Sequence, residues 1–175
     1  MTKTLYLDMD GVVADWARGA SDFLGYTLPD PNARYPDEDW QKIRSDGRLF
    51  RTLPRVPLAD QLVDLARQFR DQLGWNLAFL TAVPHGNDIP WAFMDKVLWA
   101  QEQFPDIPVF FGPYSRDKQQ HCRPGDILID DRRDNCESWR AQGGIAIWVN
   151  PSAELQRAIL ELAELKRGCE APHSG

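Results

Sequence analysis

The sequence predicts an α/β fold, a mostly parallel sheet covered by helices on both faces, with a small, mainly helical segment inserted after the first helix. Three observations carry that expectation. Short apolar runs without helical periodicity alternate with stretches whose apolar residues recur at helical spacing. Several of the runs end on Asp or Thr. One Pro-rich stretch, residues 25–57, interrupts the alternation soon after it begins.

Thr4-Leu5-Tyr6-Leu7 is a buried strand running into a turn at Asp8-Met9-Asp10-Gly11, and Val13, Trp16, Ala17, Ala20, Phe23 and Leu24 then mark a helix. From Gly25 to Pro57 the pattern breaks, with Pro29, Pro31, Pro36, Pro54 and Pro57 punctuating a polar stretch that holds isolated Trp40 and Phe50. Leu58, Leu62, Leu65, Ala66, Phe69 and Leu73 restore a helical face, and Leu77-Ala78-Phe79-Leu80 is a second strand ending at Thr81. Trp91, Met94, Val97, Leu98 and Phe104 give the next helical stripe, and Val109-Phe110-Phe111 a short strand. Ile127-Leu128-Ile129 ends at Asp130-Asp131, a helix follows over Asn135–Gln142, and Ile145–Val149 is the last strand. Asn150-Pro151 reads as a helix start, Asn as N-cap and Pro at the first helical position, with Leu155, Ala158, Ile159, Leu162 and Leu165 as the buried face. The expected organisation is a core over 1–24 and 58–167, a small insert over 25–57, and a loose tail from Gly168 to Gly175.

At 175 residues the chain suits one compact domain, and 43% hydrophobic against 26% charged residues is too apolar for a disordered chain. A formal net charge of −6 disfavours a nucleic-acid polymer as partner, because such binding needs a basic stripe to displace counterions. No apolar run suggests a membrane span, and Asp8 and Asp10 interrupt any apolar leader, so a cytoplasmic protein is expected. Cys122, Cys136 and Cys169 form no CxxC pair, and His85, His121 and His173 are scattered, which argues against a disulfide framework and a zinc site.

In a parallel sheet, ligands bind beyond the carboxyl ends of the strands, and the polar residues that end these strands fall there: Asp8 and Asp10, Thr81, then Asp130 and Asp131. Lys118 stands between the third and fourth strands. Four carboxylates on one edge repel one another unless a cation sits among them, and oxygen ligands without His or Cys suit Mg²⁺. The Asp8 segment is not an EF-hand loop, which wants Gly at its sixth position and Glu at its twelfth; here Gly11 is fourth and Gly19 twelfth. Singly, each signal also fits a turn, a cap hydroxyl, a surface lysine or a charged loop; their order, each after the expected strand, points to a site.

That order resembles the haloacid dehalogenase-like (HAD) superfamily. Within it, Asp8-Met9-Asp10-Gly11-Val12-Val13-Ala14-Asp15, Leu80-Thr81-Ala82-Val83-Pro84, Arg116-Asp117-Lys118, Gly125-Asp126-Ile127-Leu128-Ile129-Asp130-Asp131-Arg132 and the Gly143-Gly144 pair are similar to the 5'(3')-deoxyribonucleotidase family. The resemblance implies a HAD-like Rossmannoid three-layer fold and Mg²⁺-dependent hydrolysis of phosphomonoesters. Asp8 would be the nucleophile, Asp10 the general acid and base, and Thr81 and Lys118 the groups that neutralise the phosphate oxygens. The metal ligands would be Asp8, the Asp10 carbonyl and the Asp130-Asp131 pair. An acid at Asp10 separates phosphatases of the superfamily from members that only dehalogenate.

The chain departs from the family where a second hydroxyl residue would follow Thr81, since Ala82 stands there, and where a lysine would stand near His85. Backbone N–H groups around these positions would then grip the phosphate. Trp16, Phe50 and Trp40 are either aromatic walls for a nucleobase or core at the cap junction, and Arg132 either meets substrate or balances local charge. A deoxyribonucleoside monophosphate is the leading substrate; the alternatives are a non-nucleotide phosphate ester such as a sugar phosphate, or a HAD-shaped binding module without activity.

Overall fold

A computed structural model describes residues 2–27, 35–84, 89–150 and 155–170. Five parallel strands, β1 (Thr4–Leu7), β2 (Asn76–Thr81), β3 (Val109–Phe111), β4 (Ile127–Asp130) and β5 (Ile145–Trp148), form one sheet in the order β3-β2-β1-β4-β5. The chain moves outward from β1 to β2 and β3, then crosses back to β4 on the other side of β1. The order therefore reverses between β1 and β4, and a crevice opens at their carboxyl ends. Leu7 pairs with both Phe79 and Ile129, so the residues that follow β1 lie level with the ends of β2 and β4.

Alternation along the strands divides the core in two. Leu5, Leu7, Leu77, Phe79, Ile127, Ile129 and Ile147 join the larger cluster, shared with α4 (Ala59–Leu73), α5 (Ala92–Gln103) and α7 (Gln156–Glu170). Leu80, Leu128 and Ala146 point the other way, onto Cys136 and Trp139 of α6 (Arg133–Ala141). Helices therefore cover both faces, as the continuous apolar runs require.

Local differences from the sequence expectation have local causes. α1 spans Trp16–Leu24 and excludes Val13, because Val12, Val13 and Ala14 all donate to the Met9 carbonyl in a tight turn and Asp15 then caps the helix through Arg18 N at 3.0 Å. Among the described residues, segment 25–57 carries two helices, α2 (Asp37–Asp46) and α3 (Leu49–Thr52), and its end is tied to the turn after β1: Asp15 N donates to the Pro54 carbonyl and Val56 N to that of Val13. α7 runs through Gly168 to Glu170, so the loose tail does not begin at Gly168; a Lys166–Glu170 ion pair spans that last turn. The expected helix start at Asn150-Pro151 lies partly outside the described residues, within which α7 begins at Gln156. α5 buries Ala92, Asp95, Lys96, Trp99 and Ala100, whereas Met94 of the expected stripe is 61% exposed. All three cysteines are free, and no helix among the described residues is long and apolar enough to cross a membrane.

Candidate active site

Asp8 extends the sheet by one step, its N–H donating to the Ile129 carbonyl at 2.9 Å, and is 5% exposed. The following turn needs Gly11: its φ is +76°, and a Cβ there would lie 2.5 Å from Asp131 Oδ2. The turn after β1 is thus packed directly on the loop after β4.

Asp8, Asp130 and Asp131 each offer a carboxylate oxygen, and these atoms lie within 4.8 Å of one another. Lys118 lies 2.8 Å from Asp8 Oδ1 and 2.7 Å from Asp130 Oδ2. It is buried in a 3₁₀ turn over Ser115–His121, not on a solvated loop, and the turn rests on Gly112, where a Cβ would meet Lys118 N and Cα at 2.8 Å. One ammonium does not balance three buried carboxylates. Burial, with Asp130 and Asp10 adding repulsion and Lys118 opposing them, pushes the Asp8 carboxyl up to about 7. Burial and the Asp8 and Asp130 charges raise Asp131 well above the carboxylate range. Burial alone would depress the Lys118 ammonium, yet Asp130 and Asp8 hold it above its ordinary value. Carboxylates that resist ionising side by side, and that offer only oxygen, fit a hard divalent cation.

The paired acids are unequal. Asp130 is saturated: its oxygens accept from Lys118, from Arg132 N at 2.9 Å and from Asn135 Nδ2 at 2.9 and 3.0 Å. The Asp131 carboxylate has no hydrogen-bond donor among the described residues, and its backbone is fixed by Trp148 Nε1 on its carbonyl at 2.8 Å. Asp131 therefore presents the open oxygens, and Asp130 holds Lys118.

On the β2 side, Asp10 meets a residue that the sequence reading passed over. Lys96, 1% exposed on α5, forms an ion pair with Asp10 Oδ2 and donates to Thr81 Oγ1 at 3.1 Å. Asp10 Oδ1 is buried and has no partner among the described residues. Asp8, Asp10, Thr81, Lys118, Asp130 and Asp131 are thus gathered at one crevice, with Lys96 added.

The aromatic rings at the junction of α1 and the insert pack on one another. Trp16 stacks nearly parallel to Phe50, with centroids 5.1 Å apart, and to Trp40 at 6.0 Å, and its Nε1 donates to Tyr35 Oη at 3.1 Å. Stacked on two rings and 8% exposed, Trp16 is part of the buried core at the junction with the insert. Phe50 is 3% exposed and presents its ring to Lys96 Nζ, 4.7 Å from the centroid. Trp40 is half-buried at the outer end of the stack. Ala82 is half-buried just past β2, the Arg132 side chain is exposed with no ion pair among the described residues, and His85 lies outside the described residues.

No protein-family model matches the chain, and no curated protein matches it. Solved structures do. The HAD hydrolase YfnB of Bacillus subtilis, determined bound to magnesium, shares 13% identity at a TM-score of 0.53, covering 92% of this chain and 98% of that one. L-2-haloacid dehalogenase of Xanthobacter autotrophicus shares 15% identity at 0.54, over 98% and 85%. The defluorinating L-2-haloacid dehalogenase Rha0230 shares 12% at 0.54, over 99% and 85%. At such identities the likeness is one of architecture: the chain has the HAD-like fold.

Proposed function

We propose that the protein is a magnesium-dependent phosphomonoester hydrolase that works through an aspartyl phosphate on Asp8, with nucleoside monophosphates as substrates. The observation that carries this reading is the convergence of Asp8, Asp130 and Asp131 around buried Lys118, with Asp10 two residues beyond the nucleophile. An acid at Asp10 supports phosphoryl transfer over dehalogenation, which needs no proton for its leaving group. The nucleotide assignment rests on the sequence resemblance around Asp8, Thr81 and Asp131.

Asp8, Asp131 and the Asp10 carbonyl would hold Mg²⁺, which would supply the charge that lets two anions approach. The Asp8 carboxylate attacks phosphorus as the ester P–O bond breaks, and Asp10 gives its proton to the leaving oxygen. Asp10 then takes a proton from the water that attacks the aspartyl phosphate, which returns Asp8 and releases inorganic phosphate. Lys118 and the Thr81 hydroxyl neutralise the phosphoryl oxygens, with backbone N–H groups near Ala82 in place of a second hydroxyl. Segment 25–57 acts as the cap over this crevice. Free cysteines suit a reducing compartment, and we place the protein in the cytoplasm.

A second reading, a small non-nucleotide phosphate ester, is favoured by one observation: the insert's rings stack on one another and leave Trp16 closed. A panel of phosphomonoesters with Mg²⁺, and with excess chelator, tests both. Preference for nucleoside monophosphates is expected; a flat profile or a preference for small esters selects the second reading. Turnover that survives the chelator removes the metal, and wild-type turnover by Asp8→Asn removes the aspartyl phosphate.

A further inference from the structure

We infer that Lys96 is a positioning residue that assigns the two ends of Asp10 and of Thr81, so that Asp10 Oδ1 is the proton-exchanging atom and the Thr81 hydroxyl hydrogen is aimed at the phosphoryl group. The inference rests on the phosphohydrolase reading and adds a residue to it. Lys96 has three N–H bonds and no acceptor capacity. One engages Asp10 Oδ2 and another the Thr81 oxygen at 3.1 Å. A hydroxyl oxygen that accepts from an ammonium keeps its own hydrogen for a different partner. A carboxylate with Oδ2 occupied keeps Oδ1, and Oδ1 is the atom left buried and without a partner among the described residues.

The ammonium is itself held in place. Its stem lies on the buried face of α5 between Ala92 and Trp99, and the Phe50 ring of α3 covers Nζ at 4.7 Å. A buried, clamped cation of this kind confines the Asp10 rotamer, whereas Asp10 alone, with its side chain 30% exposed, has room to turn. Because α3 belongs to the segment 25–57, the insert touches the proton-transfer residue through Lys96.

The test is a pre-steady-state burst with an aryl phosphate, whose phenolate leaves with little help from a proton. Breaking the ester bond then scarcely needs Asp10, but attack of water on the aspartyl phosphate still does. Lys96→Met should keep the burst within ~10-fold of wild type and slow steady-state turnover ~100-fold, the range of general acid–base assistance. Phosphoenzyme should accumulate on quenching, and Lys96→Arg should restore turnover to within ~10-fold of wild type. If the apolar Met does not fold, Lys96→Gln is measured in its place with the same expectation. Burst and turnover falling together, or turnover holding near the wild-type rate, would overturn the inference and leave the phosphohydrolase reading standing. A wild type that neither turns over any ester nor forms a phosphoenzyme would overturn both.

Discussion

Asn135 Nδ2 lies 2.9 Å from one carboxylate oxygen of Asp130 and 3.0 Å from the other. α6 therefore donates one amide, from its first turn, to fix the acid that ends β4. Fixed in this way and paired with Lys118, Asp130 has little left for a metal, so Asp131 is the acid expected to hold one. Asp131→Asn should abolish the rise in melting temperature on adding Mg²⁺. Asp130→Asn should instead destabilise the metal-free protein by ~3–5 kcal/mol, because it deprives buried Lys118 of a partner, and weaken Mg²⁺ only ~10–100-fold. Calorimetric titration beside thermal melts reads both, and wild-type Mg²⁺ affinity in Asp131→Asn would reverse the assignment.

The raised carboxyl of Asp8 makes the metal-free protein pH-sensitive in a defined direction. An unfolded Asp ionises near pH ~3.9, while Asp8 in the folded protein ionises at about 7, with Asp131 shifted the same way. Between these values the native state binds more protons than the unfolded one, so stability falls as pH rises through that window. Mg²⁺ held by these acids would bind the ionised form and offset the loss. Melts from pH 5 to 8 should therefore show metal-free stability declining and the Mg²⁺-induced gain growing. A metal-free melting temperature that rises across that range would show the shifts to have the wrong sign.

Most of the sheet and all but one of the residues gathered at the crevice are legible in the chain because buried parallel strands read as unbroken apolar runs, and polar residues can end them only where the crevice is. Asp8, Thr81 and Asp130 are located that way, and Lys118 through its motif. Lys96 is not. Its helix carries apolar residues on more than one side, and placing charged Asp95 and Lys96 on the solvent side turns the expected stripe toward Met94, which is exposed. The partner that justifies burying Lys96 is Asp10, remote in sequence, so no local pattern announces the pair. The Trp40–Trp16–Phe50 stack is invisible for the same reason: its three rings come from three helices.

Gly11 offers a test of how the turn after β1 and the loop after β4 meet. Alanine there must adopt φ near +76°, which costs ~1–2 kcal/mol, and must push Asp131 Oδ2 away from a Cβ 2.5 Å distant. Gly11→Ala should lose Mg²⁺ affinity along with stability. A variant that melts lower yet binds Mg²⁺ like wild type would show that Asp131 is free to move without consequence.

Trp16→Ala decides what the insert's aromatic rings do. Stacked on Phe50 and Trp40 and with Tyr35 Oη on its nitrogen, the Trp16 indole is 8% exposed and fills the junction between α1 and the insert. Truncation removes a large buried ring and leaves a cavity, a loss of ~3–5 kcal/mol. It also frees Phe50 to tilt away from Lys96, so activity should fall toward a nucleoside monophosphate and a small phosphate ester by similar factors. Were the indole a platform for a base, KM would instead rise for the nucleotide alone, since the small ester has no ring to lose. Melts and two-substrate kinetics on the same preparation separate these outcomes, and a nucleotide-selective rise in KM without loss of stability would mean that the stack opens to admit substrate.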